Sequence, residues 1–113
     1  MTARNKLQEQ IPLPVSQSLL QMGKKLRAAR LRRNMTIAEV AERIGTGIRA
    51  VMDAEKGKAS TGIVVYFALL WLYDLLDQIG NIAEGERDAS GHLMEQPIER
   101  IRARKSKVRA EVE

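Results

Sequence analysis

Residues 36–56 restrict the fold more than any other part of the chain, because they fix two short helices and the turn between them. Thr36 and Glu39 have the spacing of a capping box, in which each side chain satisfies a backbone N–H at a helix start. Gly45 suits the positive φ of a tight turn, and a second helix is predicted over residues 47–56. A small residue where the helices touch and apolar residues where they pack complete a helix-turn-helix pattern. These packing residues are Ala41, Ile44, Val51 and Ala54.

Apolar residues at spacings of three and four predict further helices on either side of this pattern. A first helix is predicted from Ser18 to Asn34, a residue that suits the left-handed conformation at a helix end. The apolar run from Ile63 to Leu76 is long enough for a helix rather than a strand, and a last short helix is expected after it. We therefore predict an all-α protein. Its parts are a flexible arm (1–17), a five-helix domain (18–83), and a linker with a basic tail (84–113).

The distribution of charge favours a polyanionic partner. The chain has 19 Lys and Arg against 14 Asp and Glu, and a net charge of +5. Eight bases and a single acid lie in residues 1–35, and the tail adds more bases. Each phosphate that a basic side chain neutralises releases a counterion, so basic ends favour nucleic acid. A solvated helix face and a disordered solubilising tail stay open as alternatives. The bases are Lys24, Lys25, Arg27, Arg30, Arg32 and Arg33 in the first helix, and Arg100, Arg102, Arg104, Lys105 and Lys107 in the tail.

The apolar run predicts a second copy of the chain as a partner. A helix that is apolar around its whole circumference is buried on every side. One chain of 113 residues has little material to cover it, so part of its surface is expected to meet another subunit. The residues assigned to this homodimer interface are Phe67, Leu70, Trp71, Tyr73 and Leu75.

The chain contains no motif that is typical of an enzyme or of a membrane protein. His92 is the only histidine and the chain has no cysteine, so no metal site and no cofactor are predicted. No Gly-rich phosphate loop follows a strand, and no catalytic triad can be assembled. The N-terminal residues are polar, and no apolar run is long enough to span a bilayer. We expect a cytoplasmic protein that is not an enzyme.

The pattern resembles the Cro and phage-repressor (Xre) family over residues 23 to about 83. This resemblance implies a five-helix domain that binds palindromic double-stranded operators as a dimer, with its third helix in the major groove. It also implies a structural ion pair between Arg30 and Glu55. The matching residues are Leu26-Arg27-x-x-Arg30, Thr36-x-x-Glu39-Val40-Ala41-x-x-Ile44-Gly45, and Val51-x-x-x-Glu55-x-Gly57-Lys58.

A second set of residues is similar to antitoxins encoded beside Hip-type kinase toxins (HipB-like). It comprises Glu55-Lys-Gly57, Tyr66 and Leu70-Trp71-x-x-x-Leu75-Leu76-Asp77, with the Pro12 and Pro14 leader and the basic tail. This resemblance implies an antitoxin that represses its own operon and binds a HipA-like serine/threonine kinase. The alternatives are a solitary or phage-type regulator, and an interaction module that binds DNA weakly.

The candidate DNA-binding residues follow from the resemblance and from their chemistry. Arg49 can pair bidentately with guanine, Ile48 can touch a thymine methyl, and Asp53 can accept from cytosine but is repelled by phosphate. Ile37 and Gly47 stand where the family usually has glutamine and Ser or Thr, so few bases should be read and phosphate contacts should dominate. The full set is Lys25, Thr36, Thr46, Gly47, Ile48, Arg49, Met52, Asp53, Lys56 and Lys58.

Overall fold

The structure is a computed structural model that describes residues 5–85 and 88–93, and within these residues every regular element is a helix. The predicted all-α class is confirmed for this part of the chain. The basic tail lies outside the described residues. The helices are α1 (Asn5–Glu9), α2 (Leu13–Arg32), α3 (Ile37–Ile44), α4 (Ile48–Glu55), α5 (Ile63–Leu72), a 3-10 helix (Leu76–Asn81) and α6 (Ala89–Leu93).

The long helix α2 begins five residues earlier than the sequence predicted. Pro12 is its N-cap and Pro14 lies in its first turn, where the missing N–H of proline costs no hydrogen bond. These prolines therefore mark a helix start, and residues 13–17, predicted as part of a flexible arm, are helical. At the other end, Asn34 has a φ of 54°, which confirms the predicted left-handed end of the helix.

The capping box and the turn predicted around α3 are both present. The Glu39 N–H donates to Thr36 Oγ1 over 3.1 Å, and the Thr36 N–H donates to Glu39 Oε1 over 2.8 Å. Gly45 follows α3 with a φ of 78°, and Thr46 N–H donates back to the Ala41 carbonyl. Three residues therefore turn the chain from α3 into α4 with little freedom, because the backbone of the turn is hydrogen-bonded to α3.

Helix α4 lies at the centre of the fold, in contact with α2, α3 and α5. Two glycines let the backbones approach closely: a Cβ on Gly23 of α2 would lie 2.5 Å from the Glu55 carbonyl oxygen, and one on Gly57 would clash with the Leu19 backbone. The core around α4 is formed by Leu26, Ala29, Val40, Ala41, Val51, Ala54, Tyr66, Leu69, Leu70 and Tyr73.

Helix α5 is shorter than the apolar run that predicted it. It ends at Leu72, and Asp74 has a φ of 61°, so the acidic residue that interrupts the run also stops the helix. The 3-10 helix follows in place of the predicted α-helix over residues 75–83.

The chain divides into two compact units, residues 1–77 and residues 78–113. The first unit contains α1 to α5, and the second contains α6. The boundary between the two units falls within the 3-10 helix, about six residues before the predicted domain end at residue 83. Among the described residues, no helix combines the length and the apolar character needed to cross a membrane.

Candidate nucleic-acid interface

The outer face of α4 is a narrow surface with both basic and apolar side chains. At 100° per residue, Val51 and Ala54 point into the core, and the remaining arc faces outward. Ile48 and Arg49 are exposed, and Met52 and Asp53 are half-buried. Lys56, the C-cap of the helix, extends the same arc. Five of the ten residues predicted to bind DNA thus share one side of one helix, which we call the α4 face: Ile48, Arg49, Met52, Asp53 and Lys56.

The position of α4 is fixed by a buried ion pair. Arg30 Nε donates to Glu55 Oε2 over 2.7 Å, and a second guanidinium nitrogen donates to Oε1 over 3.0 Å. The side chains are only 9% and 6% exposed. The third guanidinium nitrogen of Arg30 donates to the Met35 carbonyl at 2.9 Å. The carboxylate of Glu55 raises the pKa of Arg30, so this guanidinium stays charged and ties α2 to the end of α4.

Arg33 was predicted as one of six clustered bases for a polyanion, but its guanidinium is engaged within the fold. It donates to the Ala29 carbonyl at 2.8 Å and to the Tyr73 carbonyl at 2.7 Å, and it lies 5.2 Å from the centre of the Tyr73 ring. Arg33 therefore joins the end of α2 to the end of α5. No motif indicates this role, because Tyr73 is 40 residues away along the chain.

Two of the predicted DNA-binding residues contact each other. Lys58 Nζ lies 3.5 Å from Asp53 Oδ1, and the Lys58 N–H donates to the Asp53 carbonyl at 3.0 Å. The Asp53 side chain is 21% exposed and that of Lys58 is 48% exposed. The hydroxyl of Tyr66 donates to the Lys58 carbonyl, so the backbone of Lys58 is held from two sides. Lys58 thus sits beside the α4 face, with its ammonium directed to Asp53.

The other predicted phosphate contacts lie on separate elements. Thr36 Oγ1 already accepts a hydrogen bond in the capping box. The backbone N–H of Thr36 lowers the pKa of Glu39, with help from its hydroxyl. Thr46 is half-buried in the turn before α4, Gly47 is the N-cap of α4 without a side-chain cap, and Lys25 is exposed on α2.

A second exposed surface, which we call the α5 face, is apolar. Ile63, Val64, Phe67 and Trp71 fall within an arc of about 100° on α5 and are 67%, 75%, 40% and 62% exposed. Beside them, an open groove of about 450 Å³ runs between α5 and the first half of α2. No charged side chain lines it. The groove is lined by Pro14, Val15, Ser18, Leu19, Met22, Ile63, Tyr66 and Phe67.

The residues predicted to form the dimer interface differ in exposure within a single chain. Phe67 and Trp71 lie on the α5 face, and Leu75 is half-buried. Tyr73 is 1% exposed and Leu70 is 9% exposed within a single chain, so both belong to the core and offer almost no surface to a second copy. Burial also raises the pKa of Tyr73, with a further contribution from the charge of Glu55.

Over residues 5–85 and 88–93, no group of three His, Asp or Glu side chains is placed to hold a metal ion. Comparison with protein-family models, with curated proteins and with solved structures gave no match for this chain. The resemblance to the Xre family and to HipB-like antitoxins therefore stays a prediction.

Proposed function

We propose that the chain is a helix-turn-helix DNA-binding repressor that places α4 in the major groove of double-stranded DNA. The observation that carries this proposal is that α4 is anchored on α2 and α3 while its outer face keeps Arg49 and Lys56 exposed. The major groove is about 12 Å wide and admits one α-helix. A helix held by a buried ion pair can enter it without losing further conformational freedom.

The chemistry of the α4 face assigns different roles to its side chains. Arg49 reads guanine through two hydrogen bonds, and Ile48 and Met52 offer apolar contact to thymine methyls. Lys25, Thr36, Thr46 and Lys56 supply phosphate contacts, which set position and affinity rather than sequence, and Lys58 lies beside them in an ion pair with Asp53. Only one side chain reads a base strongly, so phosphate contacts and DNA shape carry most of the binding energy.

The apolar α5 face supports a homodimer. Val15 and Met22 of the groove are exposed beside it, so the apolar surface continues from α5 onto the first half of α2. A face without charges also lets two copies with a net charge of +5 approach each other. Two copies related by a twofold axis present two α4 helices to a palindromic operator.

The partner that the resemblance implies is a HipA-like kinase, which would make the chain the antitoxin of a toxin–antitoxin pair. Only the sequence motifs support this part of the proposal. Co-expression with a kinase encoded beside the gene, followed by affinity purification of the tagged chain, tests it. Recovery of the kinase in a stoichiometric complex supports the antitoxin, and its absence leaves a solitary regulator.

DNA binding is tested by fluorescence anisotropy on the duplex from directly upstream of the gene, against a scrambled duplex, at two salt concentrations. Arg49→Ala should reduce the preference for the upstream duplex by roughly tenfold, since one bidentate contact contributes about 1–3 kcal/mol. Arg32→Ala is the matched control, because Arg32 is an exposed arginine at the end of α2. Equal, salt-dependent binding of both duplexes would contradict sequence reading. No binding to either duplex would favour the interaction module.

A further inference from the structure

The α4 face contains one acidic side chain, Asp53, at a place where DNA phosphates would approach. An unpaired carboxylate there opposes binding to any duplex, because it repels phosphate. Its closest cation is Lys58 Nζ, 3.5 Å from Oδ1. That same Oδ1 is buried and has no hydrogen-bond partner among the described residues, so Lys58 is the group that compensates its charge. The two side chains therefore act as one nearly neutral unit beside Arg49.

The backbone keeps this pair together. Lys58 N–H donates to the Asp53 carbonyl at 3.0 Å, directly after the last turn of α4. Gly57, with a φ of 67°, makes the turn that brings Lys58 back beside Asp53. Tyr66 OH, itself in a buried residue, donates to the Lys58 carbonyl at 3.2 Å. The Lys58 backbone is thus held in place beside the Asp53 carboxylate. The Lys58 ammonium has to leave that carboxylate in order to reach a phosphate.

We propose that Asp53 limits the affinity of the α4 face for DNA of any sequence by restraining Lys58 from phosphate. This inference rests on the proposed DNA binding. With Lys58 restrained, binding to every duplex loses one phosphate contact, so affinity and salt dependence fall while base reading by Arg49 is unchanged. Asp53 is a positioning residue for Lys58 in this scheme, and its removal strengthens binding to every duplex alike.

The test compares Asp53→Asn with Asp74→Asn, which adds the same charge at an exposed residue beyond the end of α5. Each variant is measured by anisotropy on a scrambled duplex and on the duplex that the wild-type chain enriches most from a pool with 20 randomised base pairs. Both measurements are repeated in a Lys58→Met background. Circular dichroism shows that each variant is folded.

We expect Asp53→Asn to bind the scrambled duplex about fivefold more tightly than Asp74→Asn does, and to steepen the salt dependence by about one counterion. The enriched duplex should gain by a similar factor, since a phosphate contact carries no sequence information. In the Lys58→Met background, the two asparagine variants should become equal.

Two results overturn the inference while leaving DNA binding in place. The first is a gain that persists without Lys58, which would mean that Asp53 repels phosphate directly. The second is Asp53→Asn matching Asp74→Asn in the wild-type background. Failure of every folded variant to bind any duplex would instead refute the proposed function itself.

Discussion

The buried pair of Arg30 and Glu55 offers the sharpest test of how this fold is held together. Replacing Arg30 by methionine keeps the aliphatic volume and removes the charge. It removes two hydrogen bonds from the Glu55 carboxylate, whose side chain is 6% exposed in the native chain, and it leaves the Met35 carbonyl without this donor. Removing one member of a buried pair costs about 3–5 kcal/mol, because the remaining charge stays desolvated.

The magnitude is large compared with the stability of a small domain. The compact unit over residues 1–77 has the size at which 1 kcal/mol shifts the melting temperature by about 4–8 °C. Arg30→Met should therefore lower the melting temperature by at least about 12 °C. Urea unfolding followed by circular dichroism measures the free energy directly, with an unchanged slope as the sign that two-state unfolding still holds. Arg32→Met makes the same chemical change at an exposed arginine of the same helix, and it should cost less than about 0.5 kcal/mol.

The double variant separates the two possible origins of the loss. If Arg30→Met destabilises by stranding the Glu55 carboxylate, then adding Glu55→Leu should restore much of the lost stability, since an apolar pair of similar volume replaces the charged one. If the loss comes from packing of the arginine stem, the second substitution should add a further loss instead. A cost for Arg30→Met no larger than that for Arg32→Met would refute the reasoning, because it would mean that the pair contributes nothing measurable.

Three further predictions test local features of the fold and the α5 face. Gly23→Ala should cost about 1–3 kcal/mol in urea unfolding, because its Cβ would lie 2.5 Å from a backbone oxygen of α4; Gly80→Ala, with open space around it, should cost nothing measurable. The Thr36 backbone N–H lowers the pKa of Glu39 in the folded chain. The stability that the Glu39 carboxylate contributes is therefore present above its ordinary pKa of 4.5 and is lost as the pH falls through the lowered folded-state pKa. The difference in melting temperature between wild type and Glu39→Gln should then shrink in acid, and a constant difference would contradict this. Trp71→Glu should shift sedimentation from dimer to monomer without unfolding the chain, since Trp71 is 62% exposed in a single chain; an unchanged dimer would place the interface elsewhere.

The features that the sequence predicted correctly are those decided by neighbouring residues. The capping box of Thr36 and Glu39, the left-handed Asn34 and the turn at Gly45 each depend on a few consecutive residues and on backbone sterics. The periodicity of α4 likewise separated its outer face from Val51 and Ala54. Such features follow from composition and spacing because no distant contact is needed to produce them.

The features that the sequence missed depend on contacts between distant residues. Arg33 looked like one more base of a charged run, and only the packing of α5 beside the end of α2 brings it to Tyr73. Tyr73 itself was assigned to the dimer because the whole apolar run looked alike, whereas the fold buries it and exposes Trp71. Periodicity identifies a helix, but a run without a polar face carries no information about which side points inward.

Arg30 and Arg33 both bond within the fold, and together they fix the position of the α4 face relative to the α5 face. Arg30 joins α2 to the last residue of α4, and Arg33, three residues later on α2, joins it to the end of α5. The pKa of Tyr73 depends on both arginines. Burial and the charge of Glu55 raise this pKa, and the charges of Arg30 and Arg33 oppose the rise. The half-site spacing of a palindromic operator depends on the distance between two α4 helices across a dimer. If α5 forms that dimer, the end of α2 is the rigid connection that sets the spacing.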